Sequence, residues 1–230
     1  MNEIEEKDPH ASTRTRLLDT AEQLFAEQGV EATSVQDIVK AAGTNPGTIK
    51  HHFRSKNLLV LEVFARQLRQ VNQQRLARLD ALETGQAAPS LEEVLQSLIR
   101  PTVEDEIGGR HRTNELMRLI VRSFQEPGQE LKIFMAQEFG EIVRRFDAAI
   151  LRAVPGLVKE EPFWRMSFLF GALYHGLEQW SRLDSVLPPP GLDCVQRRPY
   201  IEGFIQRFIA YVAAGMRAAA VPSSPFSFPS

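Results

Sequence analysis

The sequence has one cysteine, Cys194, in 230 residues. A lone thiol excludes an internal disulfide framework and suits a reducing compartment. Charge of one sign is also missing: 27 Lys and Arg face 29 Asp and Glu, a formal net charge of −2. Any nucleic-acid contact must therefore come from a local patch. No apolar run approaches the ~20 residues of a membrane span. The opening MNEIEEKDPH is acidic and has no apolar centre, unlike a signal peptide. These absences point to a soluble protein of the cytoplasm. Chemistry-bearing motifs are missing too: there is no H-E-x-x-H, Gly-rich phosphate loop, nucleophile elbow or paired-carboxylate motif. The expectation is a non-enzyme with no cofactor and no metal. The alternative left open is a metal-responsive helical regulator or metal-binding enzyme using His111 and His175 with carboxylates.

What is present centres on residues 33–56, TSVQDIVKAAGTNPGTIKHHFRSK. Val35, Ile38, Val39 and Ala42 follow the i, i+3, i+4, i+7 spacing of one buried helical stripe. Thr33 is expected as N-cap, with Gln36 completing a capping box, and Gly43 as a left-handed stop. A second helix opens at Thr44 or Asn45, with Pro46 near its first position, where a missing N–H costs nothing. Inside it only Ile49 and Phe53 form an apolar i, i+4 pair. Anchoring a helical wheel on that pair turns Thr44, Gly47, Thr48, Lys50 and His51 outward, with His52 on the flank. This face carries no carboxylate. Helix, glycine turn and helix with an acid-free face make the helix-turn-helix pattern, whose second helix enters the DNA major groove.

The stretch 13–61 resembles the DNA-binding domain of the TetR family of bacterial transcription regulators, through AEQLFAEQG (21–29), TSVQDIVKAAG (33–43) and GTIKHHFRSKNL (47–58). It departs from the family in having Lys50-His51-His52 where a tyrosine pair or Tyr-His usually precedes the phenylalanine. Within this frame Lys50 and His51 are the expected base-edge readers. Gly47 and Thr48 lie close to the groove with Thr44 and Asn45. Thr33, Ser34, His52 and Lys56 are the expected phosphate contacts, Lys56 with Arg54 at the positive end of a helix capped by Ser55.

The rest of the chain shows no strand pattern. Leu17, Ala21, Leu24 and Phe25 mark a supporting helix over about 13–28, and a long helix follows Ser55 to about residue 82. Further helices are expected near 91–104, 112–125, 129–154, 162–183 and 197–219, broken at Gly108-Gly109, Pro127-Gly128, Pro155-Gly156 and LPPPG at 187–191. The expected fold is all-α: a flexible arm (1–11), a three-helix helix-turn-helix DNA-binding domain (12–57), a helical ligand-binding and dimerisation domain (58–221) and a Pro/Ser-rich tail (222–230).

In the segment 162–183, Phe163, Met166, Phe170, Leu173, Leu177 and Trp180 form one apolar seam. Trp164, Phe168, Leu169, Ala172 and Gly176 form another. A helix apolar on two sides is buried on two sides, which points to one face on the core and one on a second subunit. Ile201, Phe204 and Phe208 on the last helix are its expected companions. The family resemblance implies a four-helix homodimer interface from these last two helices, an inverted-repeat operator and, as the usual mode, repression. It also implies a small-molecule effector among the middle helices. Phe64, Leu68, Met117, Ile120, Phe124, Phe134, Met135, Phe139, Trp164, Phe168 and Tyr174 are the expected apolar walls, with Arg118, His175 or His111 as polar anchors. The stretch 115–180 also resembles the branch that responds to fatty acids or their thioesters, which implies a mainly apolar effector of that kind.

Overall fold

The computed structural model describes residues 9–85, 87–105, 129–158, 161–183 and 192–219. Among them are eight helices and no strand: α1 (Pro9–Gln28), α2 (Val35–Ala41), α3 (Pro46–Phe53), α4 (Lys56–Glu83), α5 (Leu91–Asp105), α6 (Gln129–Ala153), α7 (Glu161–Leu183) and α8 (Cys194–Arg217). The all-α expectation holds. The helix expected over 112–125 lies outside the described residues, and Pro9 to Ala11, expected in the arm, already belong to α1. The chain divides into two compact units, residues 1–70 and 71–230, the division falling inside α4.

In the first unit α1 buries Leu17, Ala21 and Phe25 along one face, the stripe its spacing requires. Gly29, at φ 83°, ends it, a conformation glycine adopts without a Cβ clash. α1 packs on α2 and α2 on α3. The early turns of α4 add Leu59, Val60, Val63 and Phe64 to the buried set. Between α1 and α4, Arg14 pairs with Glu62, and Arg66 with Asp19 at 2.5 Å.

In the second unit the core is drawn from five helices: Leu79 of α4, Leu95 and Leu98 of α5, Phe146 and Ile150 of α6, Leu173 and Leu177 of α7, and Ile205 and Met216 of α8. α5 packs chiefly against α8. Charged clips flank that contact: Arg100 reaches Glu202 with two bonds of 2.6 and 2.8 Å, and Arg217 reaches Glu92 with bonds of 2.6 and 2.7 Å. α5 opens on a capping box, Ser90 with Glu93. α8 opens on another, with Asp193 accepting from the backbone of Val195 and Gln196. This box starts α8 three residues before the expected Arg197. Arg165 of α7 ties the far end of α8, donating to the Gly215 and Met216 carbonyls at 2.9 and 2.7 Å while pairing with Glu161.

Candidate nucleic-acid interface

The α2–α3 corner is fixed by backbone chemistry. Gly43 sits at φ 63°. The Thr44 N–H donates to the Val39 carbonyl at 2.8 Å and the Gly43 N–H to Lys40 at 3.2 Å, the paired bonds of a Schellman stop. Asn45 is extended, at φ −124° and ψ 161°, and Pro46 follows at the start of α3. A Cβ on Gly47 would come within 3.0 Å of the Asn45 side-chain oxygen, so glycine leaves room for that amide beside the helix start. Ile49 and Phe53 are buried at 3% and 2% exposure. That pair orients the helix and leaves Asn45, Gly47, Lys50 and His51 exposed, with Thr44, Thr48 and His52 half-buried. The His51 and His52 rings meet edge to face at 4.9 Å.

One expected contact is corrected, and a second is already engaged within the fold. Thr33 is not the cap of α2 and its side chain is not on the surface: it is fully buried, with its hydroxyl donating to the Gly29 carbonyl at 2.7 Å. The cap is Ser34, whose side chain accepts from the Asp37 N–H at 3.1 Å while Asp37 accepts from the Ser34 N–H at 2.9 Å. These bonds hold the Asp37 carboxyl below its ordinary value. Lys56 is half-buried and its ammonium donates to the Val30 carbonyl at 2.8 Å, so one of its three donors already pins the α1–α2 loop.

Between α3 and α4 the chain makes a γ-turn. The Ser55 N–H donates to the Phe53 carbonyl at 2.7 Å, and Arg54 between them holds φ 64° and ψ −43°. This left-handed geometry is strained for a residue with a Cβ. Arg54 is exposed there, directly before the N-terminus of α4. Arg14, on the same unit, lies over the Phe53 ring at 5.2 Å.

The second unit separates the aromatic residues differently from the expectation. Met166, Leu173 and Leu177, expected in a subunit seam, are buried in the unit's own core. Trp164 and Phe168, expected as pocket walls, are 44% and 68% exposed, and Phe163 is 57% exposed. His175 is exposed as well, so it does not line an enclosed cavity. Phe170, Trp180, Ile201, Phe204 and Phe208 are partly buried against the core. Phe64 and Leu68 are buried in the first unit, Tyr174 is buried and Phe139 is half-buried. Met117, Ile120, Phe124, His111 and Arg118 lie outside the described residues, as do the side chains of Phe134 and Met135. Among the described residues no three His, Cys, Asp or Glu are grouped to hold a metal ion, and no helix is long and apolar enough to cross a membrane.

Two features were missed in the sequence. One is an open groove of about 550 Å³ along α8, lined by Trp180, Tyr200, Phe204, Arg207, Phe208 and Tyr211 among others. The other is Arg75 on α4, wholly buried and bonded to Asn72, to Thr102 and to the Leu98 carbonyl. Its signal was available: Leu68, Val71, Arg75 and Leu79 follow the 3-4-4 spacing of a buried stripe, with a cation in an apolar position.

Family models match both units. One described as "Bacterial regulatory proteins, tetR family" covers residues 17–63, and one described as "Tetracyclin repressor-like, C-terminal domain" covers residues 96–215. The chain belongs to the TetR family. Its family and relatives are transcription regulators, not enzymes. It is 54% identical over 50 residues to the HTH-type transcriptional repressor KstR2 of Rhodococcus jostii, covering 22% of this chain and 24% of the relative. With the HTH-type transcriptional regulator AcrR of Shigella flexneri it shares 32% identity over 125 residues, covering 54% and 55% of the two chains. The match thus spans about a quarter to about half the length of these relatives. The fold is similar to that of the regulator FadR from Bacillus subtilis in complex with stearoyl-CoA, with a TM-score of 0.60 at 17% identity, over 87% of this chain and 98% of that one.

Proposed function

We propose that this TetR-family chain is a homodimeric, one-component repressor that reads an inverted-repeat operator through α3 and is released by a mainly apolar effector held in its second unit. The observation that carries the DNA-binding reading is the exposed, carboxylate-free face of α3, seated by Ile49 and Phe53. Lys50 and His51 are the base-edge readers. Ser34, His52, Arg54 and Lys56 supply phosphate contacts, and Gly47 and Thr48 let the helix approach the groove. A single short helix reads few base pairs, so a two-fold partner doubles the site. The outward aromatic face of α7 and α8, with Trp164, Phe168, Phe208 and Tyr211, supplies apolar surface for that partner. The small Gly176 meets Phe204, a Cβ there lying 3.4 Å from the ring, which keeps the two helices close. Similarity to the repressor KstR2 and to FadR in complex with stearoyl-CoA supports repression and an acyl-type effector for this chain.

The test is selection of bound duplexes from a random library by the purified chain, with sedimentation of the free protein at micromolar concentration. Enrichment of an inverted repeat by a dimer is expected. A monomer, or enrichment of nothing above non-specific DNA, overturns the reading.

A further inference from the structure

The stretch 38–61 carries Lys40, Lys50, Arg54, Lys56 and two histidines, and neither Asp nor Glu. The acids that bound it are both engaged within the first unit. Asp37 accepts from the Ser34 N–H and hydroxyl at 2.9 and 2.6 Å, and Glu62 pairs with Arg14. Lys40, Lys50 and Arg54 are exposed on this stretch. The surface around α3 is thus rich in hydrogen-bond donors and poor in acceptors.

Ile49 and Phe53, both buried, fix the rotation of α3 about its axis. At about 100° per residue, Gly47 and His51 point directly away from that pair, with Thr48 and Lys50 on either flank. Gly47 has no side chain, and the His51 ring is set edge to face against His52 at 4.9 Å. Thr48 is short and half-buried. The Asn45 side-chain oxygen folds over Gly47, 3.0 Å from where a Cβ would stand. Within α3 the long, exposed side chain on this face is Lys50. Its ammonium offers three donors and no acceptor. In the major groove guanine presents two acceptors, O6 and N7. Adenine and cytosine would set an amino donor against the ammonium, and thymine has its O4 beside a methyl group. An adenine or cytosine reader needs an amide or a carboxylate, and position 50 has neither.

We infer that Lys50 reads a guanine in each half-site of the operator, donating from its ammonium to O6 and N7. This rests on the operator reading above and narrows it from a base contact to one base and two of its atoms.

The experiment uses the full chain in selection from a random duplex library at fixed salt, then affinity measurements on the selected operator. A guanine at equivalent places in both half-sites is expected. Exchanging it for another base pair should weaken binding about 5- to 150-fold, the range of one good base contact. Exchanging it for 7-deazaguanine, which pairs normally but has C–H in place of the N7 acceptor, should weaken wild type and leave Lys50→Ala unaffected. Lys50→Arg should keep the guanine, because a guanidinium donates to the same two acceptors. Lys50→Gln should select adenine at that place alone, since an amide matches adenine N6 and N7. Lys50 is exposed, so these replacements remove no buried group and all three variants are expected to fold. An inverted repeat in which no guanine responds to Lys50 overturns the inference and leaves the repressor reading standing. Equal sensitivity to 7-deazaguanine in wild type and Lys50→Ala does the same. Enrichment of nothing above non-specific DNA overturns both.

Discussion

Arg100 of α5 grips Glu202 of α8 with two near-parallel bonds, 2.6 and 2.8 Å long, across 102 residues of sequence. The bidentate geometry raises the Arg100 guanidinium, chiefly through the Glu202 hydrogen bond, and lowers the Glu202 carboxyl from its ordinary 4.5. A depressed carboxyl stabilises the fold above its unfolded value and loses that contribution as pH falls through the folded value. Glu202→Gln is therefore expected to lower Tm at pH 7 and to match wild type well below pH 4.5. A double-mutant cycle with Arg100→Met should return a coupling of about 1 kcal/mol, modest because Glu202 is partly exposed.

Asp147 on α6 behaves in the opposite sense. Burial raises its carboxyl above the ordinary 3.8, and its Oδ1 is buried without a hydrogen-bond partner among the described residues. A raised carboxyl subtracts stability above its folded pKa, and that penalty vanishes below its unfolded value. Asp147→Asn should raise Tm at pH 7, and the gain should disappear as pH falls below 3.8. Thermal scans from pH 3 to pH 8 check the sign; a loss at pH 7 would show that the carboxylate is compensated.

Arg165 closes the C-terminal turn of α8 from a neighbouring helix. Replacing it with Met strands two helix-end carbonyls and leaves Glu161 unpaired. The expected loss is about 2–4 kcal/mol, measured by urea unfolding. A change below half a kilocalorie, on the order of a surface substitution, would place the last turn of α8 outside the cooperative unit.

On the proposed function, Lys50 and Lys56 separate reading from holding. Lys50→Ala should relax discrimination at one operator position by about 1–3 kcal/mol. Lys56→Ala should weaken all sequences alike and lower the salt slope by about one. Because the Lys56 ammonium also binds the Val30 carbonyl, its loss should lower stability by about 1 kcal/mol, whereas Lys50→Ala should not. Affinity measured on operator and scrambled DNA at several salt concentrations, with a Tm for each variant, distinguishes the two.

The first unit was legible because its signals are local. The Gly43 stop, Pro46 at a helix start and the Ile49–Phe53 pair each determine backbone direction within one turn. The cap slipped by one residue because Thr33-Ser34 offers two cap types, each with a partner three positions on; burial of Thr33 on Gly29 decided between them. The second unit depended on long-range packing. Both stripes of α7 are apolar, so periodicity located them without telling which meets α6 and α8. Met166, Leu173 and Leu177 turned inward, and Trp164 and Phe168 outward. Arg75 escaped notice because an arginine in a long helix reads as a solvated residue until its register with Leu68, Val71 and Leu79 is followed.

Arg54 keeps an arginine at a backbone angle that glycine would hold with less strain. A mutant library of this chain screened for heat resistance alone should therefore enrich glycine at position 54. The same library screened for operator retention should keep the basic side chain. The residue on which those two screens part company marks where this small domain has given up robustness for grip on DNA.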